Sequence, residues 1–184
     1  MNYFLIIVLV IVVLWLLSTY NFFVSSIARI KASVQEIGNQ LKRQMDLIPN
    51  LEASVKGYLK HEKGIFDELT NARKAVACAV KSGNLQEMAD AGSKFASLLP
   101  KIQVVVESTP ELKASSVVEN LMDELRDTAD KIMYARRLLI DLTADFNVKR
   151  VSVPANIVAK IFNIAEQPGL ITQSKDTKTP KIDL

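Results

Sequence analysis

From Ile27 to Ala79 the chain carries an apolar seam at alternating steps of three and four residues, and that seam restricts it to long helices packed side by side. The positions are Ile27, Ile30, Val34, Ile37, Leu41, Gln44, Ile48, Leu51, Val55, Tyr58, Glu62, Ile65, Leu69, Ala72, Val76 and Ala79, and all but Gln44 and Glu62 are apolar. At a hydrophobic content of 49%, about eight apolar residues would be expected in sixteen such positions by chance. A seven-residue repeat keeps its seam against a partner when the helix supercoils left-handedly, so the spacing predicts coiled-coil-like packing. Polar residues on such a seam fix register at some cost in stability, and that structural role is expected for Gln44 and Glu62. The other reading of Glu62 is a buried ligand or partner contact.

Pro49 interrupts this stretch. An internal proline removes one backbone hydrogen bond and crowds the preceding turn, at a cost of about 3 kcal/mol. The phase of the seam is unbroken across Ile48 and Leu51, with no loop residues between them. This favours a kinked but continuous limb from Asn21 to Lys81 over a sharp reversal after Asp46.

Upstream, residues 1 to 28 contain no charged side chain, and Tyr3 to Leu17 is a continuous apolar run. Counted from Tyr3 to Val24, the segment matches the roughly 20 residues that cross a bilayer. Tyr3, Trp15 and Tyr20 are candidate interfacial anchors. A cleaved signal peptide would want a positive n-region and a small-residue cleavage site. Neither is present, so an uncleaved single-pass anchor is expected. Arg29, Lys31, Lys42 and Arg43 follow the segment, which places the N-terminus outside and the body in the cytoplasm.

Ser82-Gly83-Asn84 ends the first limb, with Gly83 able to take the left-handed conformation and Asn84 capping the next helix. Glu87 completes a capping-box pattern. The second helix carries Met88, Ala91, Phe95, Leu98, Ile102 and Val105 on one stripe. A third begins either at Pro110, behind Thr109, or at Ser116. Its seam runs from Val118 to Phe146, with Thr128 as a mild exception. A short helix after Pro154 carries Ile157, Val158, Ile161, Phe162 and Ile164. It either caps the bundle, the favoured reading, or lies on the headgroup surface with Lys149, Arg150 and Lys160 nearby.

The expected fold class is therefore all-α: an antiparallel bundle of long heptad-patterned helices with a kinked first helix and an N-terminal transmembrane helix. Residues 1–24 are read as the anchor, 25–170 as the helical-bundle domain and 171–184 as a flexible polar tail.

No catalytic constellation emerges. His61 is the single histidine, whereas a di-metal helical bundle needs Glu-x-x-His pairs from two helices, so a structural role is expected and no metal or other cofactor. Cys78 is the single cysteine and is read as a small buried hydrophobe. The charged residues of the third helix, among them Asp123, Glu124, Arg126, Asp127, Arg136 and Arg137, read as a solvated face. With 23 basic and 20 acidic residues interleaved, there is no basic stripe of the kind that binds nucleic acid.

Several separated blocks resemble the LemA family. They are Tyr20-Asn21, Gln40-Leu41-Lys42-Arg43, Asp46-Leu47-Ile48-Pro49-Asn50-Leu51, Val55-Lys56-Gly57-Tyr58, His61-Glu62 and Ala72-Arg73, then Leu112-Lys113-Ala114, Asp123-Glu124-Leu125, Ala135-Arg136, Phe146-Asn147 and Pro154-Ala155-Asn156. The resemblance runs from about Tyr20 to Leu170. It implies an N-terminal anchor and a helical body on the cytoplasmic side, in a family whose biochemical role is not settled. Gln44 stands where the family pattern has a second arginine and Ala129 where it has a glutamate. Both halves of a buried ion pair would thus be absent together, and one left unpaired would cost about 3 to 5 kcal/mol. Leu139-Ile140 replaces a Tyr-Asn pair.

The function expected is a non-enzymatic, membrane-anchored scaffold or assembly factor, with the lipid bilayer and further copies of itself as partners. The alternative is a regulatory adaptor that recruits an unidentified cytoplasmic protein. Gln44, Pro49, Glu62, Arg73, Arg136 and Phe162 are the structural or interaction candidates.

Overall fold

The computed structural model describes residues 2–57 and 63–170. Its helices are α1 (Asn2–Val55), α2 (Lys63–Ser82), α3 (Leu85–Ser108), α4 (Pro110–Lys113), α5 (Ser116–Val151) and α6 (Ala155–Ile161), and among the described residues there is no strand. The all-α class follows directly. His61, Glu62 and the polar tail 171–184 lie outside the described residues.

The first limb is not continuous to Lys81. α1 runs through Pro49 as expected, but it stops at Val55, and Lys56 and Gly57 form a turn. After the turn, α2 packs on α1, with Glu52 reaching Thr70 and Arg73. A straight rod would leave the apolar faces on both sides of Gly57 in water. Reversal instead lets Leu69 and Ala72 of α2 join Ile48, Leu51 and Val55 of α1 in one core. Gly57 is a natural break, because glycine costs about 1 kcal/mol within a helix.

α1 and α5 run side by side in opposite directions. Phe23 meets Phe146 at one end, and Arg43 meets Glu124 about 30 Å further along at 1.5 Å per residue. α3 lies against α5 through a close approach at Gly92, where an added Cβ would stand 3.0 Å from Ile132 Cγ2 and 3.6 Å from Leu41 Cδ2. Glycine lets these backbones approach; a larger side chain would push α3 away from the core. Two buried clusters result. One gathers Ile48, Leu51, Phe95, Leu112, Met122 and Leu125 near the far end of α1, and the other gathers Phe23, Ile37, Leu41, Val76, Leu139 and Phe146 nearer its apolar start.

The helix boundaries follow local chemistry. Gly83 has φ +65°, the left-handed conformation in which glycine carries no penalty. The Asn84 side chain accepts hydrogen bonds from Gln86 N and Glu87 N at 2.9 and 3.2 Å. The capping box is closed through an intermediary: the Ser82 hydroxyl donates to Glu87 at 2.6 Å and accepts from Asn84 N at 3.2 Å. Both start signals near residue 110 are used. Pro110 opens the single turn of α4, and Ser115 then caps α5 by accepting from Val118 N.

Cys78 is exposed, not buried. α2 turns Leu69, Ala72, Val76 and Ala79 inward, and at about 100° per residue position 78 falls off that face.

Candidate functional site

The most distinctive part of the molecule is the junction where α1 leaves the packed body. From Tyr3 to Leu14, and again at Leu17, the apolar side chains of α1 are uncovered. By length and composition this helix is capable of crossing a membrane. Burial begins at Thr19, whose hydroxyl donates to Trp15 O at 2.9 Å, and is complete at Phe23.

The far end of the chain closes on this point. The Phe162 ring lies 4.7 Å from that of Tyr20, and Lys149 Nζ lies 5.8 Å above the ring of Phe22. Phe22, Phe23 and Phe146 continue the contact as two edge-on pairs at 5.7 and 5.4 Å. α6 turns Ala155, Val158 and Ala159 inward and leaves Ile157, Ile161 and Phe162 exposed. The segment beyond is held by Asn147, whose Nδ2 donates to Gln167 O at 2.9 Å and whose Oδ1 accepts from Gln167 N at 3.1 Å. Ile164 and Leu170 pack on the core from that segment.

Further up the body, a groove of about 410 Å³ lies between α1 and α5, lined by Arg29, Ala32, Ser33, Glu36, Tyr134, Ala135, Leu138 and Leu142. Tyr134 and neighbouring Met133 are 70% and 65% exposed. The Ser33 hydroxyl beneath the groove is buried without a hydrogen-bond partner.

The candidates named from sequence fall in different places. Gln44 is fully buried, and neither its amide nitrogen nor its oxygen has a partner. Ala129 is also buried, facing the core from α5. Pro49 lies inside α1 between fully buried Ile48 and Leu51. Arg73 pairs with Glu52 at 3.4 Å, while Thr70 Oγ1 donates to the same carboxylate at 3.3 Å. Arg136 donates to Ser93 Oγ and ties α5 to α3. Phe162 belongs to the junction, far from Gln44 and Arg73.

The charged run of α5 is solvated only in part. Arg126 pairs with Asp123 and Lys131 with Asp127 along the helix, but Glu124 also holds Arg43 of α1. Such half-exposed pairs contribute little to stability. Sequence reasoning missed Glu52 and Ser93, because each acts through a residue distant in the chain, and it gave no sign that Lys149 would meet Phe22. Among the described residues, no three His, Cys, Asp or Glu side chains gather where an ion would bind.

Fold and junction together define a class: an all-helical body continuous with one long apolar N-terminal helix. The chain belongs to the LemA family, whose family model matches residues 33–184. The match begins within α1, beyond the uncovered apolar segment, and extends past Leu170 into the tail. A comparison with curated proteins finds no match.

Proposed function

We propose that this protein is a membrane-anchored, non-enzymatic scaffold or assembly factor, its antiparallel, heptad-patterned bundle standing at the cytoplasmic face and working by self-association. The observation that carries the reading is the continuity of α1, which passes from its uncovered apolar length into the core at Phe23, Ile30 and Ile37 without a break. A helix shared in this way favours a permanent anchor over a removable leader, since it couples the body mechanically to the bilayer. The basic residues Arg29, Lys31, Lys42 and Arg43 just after the apolar length support a cytoplasmic body.

Self-association is favoured by the outer face of α5. Tyr134 and Leu138 are exposed apolar side chains at the groove beside α1, with exposed Met133 next to Tyr134 in the chain, and exposed apolar patches mark interaction surfaces. Tethering confines these faces to two dimensions and raises their effective concentration. The test is the mass of the detergent-extracted full chain. A homo-oligomer, dissociated by Tyr134→Glu, is the expected result. A lone protomer carrying a co-purifying protein would replace this reading with that of a single-partner adaptor.

A further inference from the structure

We propose that the elbow formed by the end of α5 and by α6 lies on the lipid surface, giving the body a second point of membrane contact beside α1. The proposal rests on the reading of α1 as an anchor and names what the junction does once α1 is inserted.

Height in the bilayer is the first argument. From Tyr3 to Tyr20 the helix rises about 26 Å at 1.5 Å per residue, close to the roughly 30 Å of a hydrocarbon core. Tyr20 therefore falls at the boundary when Tyr3 occupies the opposite one. Phe162 packs on Tyr20 and Lys149 sits over Phe22, so the elbow is held at that same level by contacts with the anchor itself.

Exposure is the second. Val153, Ile157, Ile161 and Phe162 are 80%, 53%, 66% and 52% exposed, while Ala155, Val158 and Ala159 already fill the inward side of α6. Ile157 and Ile161 lie four residues apart on α6 and form one stripe, with Val153 exposed in the turn that precedes the helix. A short helix that is apolar on both sides needs a second apolar environment on its outer side.

Charge is the third argument, and it selects the occupant. Residues 146–165 contain Lys149, Arg150 and Lys160; the flanking carboxylates are Asp145 and Glu166, of which Glu166 pairs with Arg150 at 2.7 Å, and residues 1–28 contain no charged side chain. The opposite end of the body carries exposed Glu107, Glu111 and Glu119, with Lys113 among them. An apolar stripe bordered by Lys149 and Lys160 fits an anionic lipid surface. The acidic end then points away from it.

The test uses the full chain in a Cys78→Ser background, reconstituted in vesicles of phosphatidylcholine and phosphatidylglycerol. Single nitroxides are placed through Leu9→Cys, Ile157→Cys, Ile161→Cys and Glu111→Cys, and each is read for accessibility to oxygen against a water-soluble nickel chelate. Leu9 is expected in the hydrocarbon and Glu111 in water, with Ile157 and Ile161 at the boundary and their oxygen preference several-fold above that of Glu111. If Leu9 is in the hydrocarbon but Ile157 and Ile161 match Glu111, the elbow proposal is overturned and the anchor stands. An aqueous Leu9 would overturn both. Shielding of Ile157 from both reagents, with spin–spin broadening between chains, would assign the stripe to a second copy and likewise overturn lipid contact.

Discussion

The rings of Phe23 and Phe146 meet edge to face, 5.4 Å apart with planes at 77°, and both side chains are fully buried. These residues are 123 positions apart in sequence, one on the first helical turn of the body and one near the end of α5. Their contact closes the bundle at the point where the apolar helix leaves it. Below the pair lies the junction, and above it the core.

Removing either ring should therefore loosen the closure. Phe146→Ala is expected to cost about 3 to 5 kcal/mol, as for other buried aromatic truncations. Phe23→Ala should cost a similar amount, and the double variant less than the sum, because the two share one contact. Denaturant unfolding of the detergent-solubilised chain, followed by circular dichroism, gives all three values. Simple additivity would show that the rings act independently.

Gln44 makes a prediction of opposite sign. Its amide is sealed in the core between Leu41 and Ile48 with no partner for nitrogen or oxygen. A buried unpaired polar group costs about 1 to 3 kcal/mol. Gln44→Leu should therefore raise the unfolding free energy by an amount in that range, read from the same denaturation curves. A loss of stability would mean that the amide holds an internal water or a partner group, and that its polarity is needed.

Much of the core was legible because periodicity reports which side of a helix is apolar. Ile30, Ile37, Leu41, Ile48, Leu51, Val55, Leu69, Ala72, Val76 and Ala79 were all placed on the seam, and all are buried. Periodicity does not report whether the chain reverses. Val55 and Ile65 are ten residues apart, a sum of three-four-three steps, so the phase matches by count although α1 and α2 are separate helices. Gly57 is the local sign of the break, and Pro49 sits within a continuous helix, as the unbroken phase across it predicts. The junction was less legible for a different reason. Tyr20 with Phe162 and Phe22 with Lys149 are pairs far apart in the sequence, and no local pattern specifies which aromatic another will meet. Gly92 likewise shows its purpose only when Ile132 is seen against it.

Asn147 controls the segment that follows α6. Its side chain behaves as a peptide group turned outward, donating to Gln167 O and accepting from Gln167 N, so residue 167 is held as a strand partner would hold it. Arg150 adds a contact to Glu166 at 2.7 Å, and Ile164 and Leu170 bury against the same cluster. Asn147→Ala removes both hydrogen bonds and leaves the Gln167 amide and carbonyl without their partner. About 1 to 3 kcal/mol of local stability is then lost, which corresponds to roughly a 5- to 150-fold rise in opening of the segment. Amide hydrogen exchange should show Gln167 and its neighbours losing protection, while the amides of α3 and the middle of α5 keep theirs. Asn147→Asp retains the acceptor for Gln167 N but not the donor, so it should lose only part of that protection. Equal protection of Gln167 in all three proteins would show that Ile164 and Leu170 alone hold the segment and that the paired hydrogen bonds are incidental.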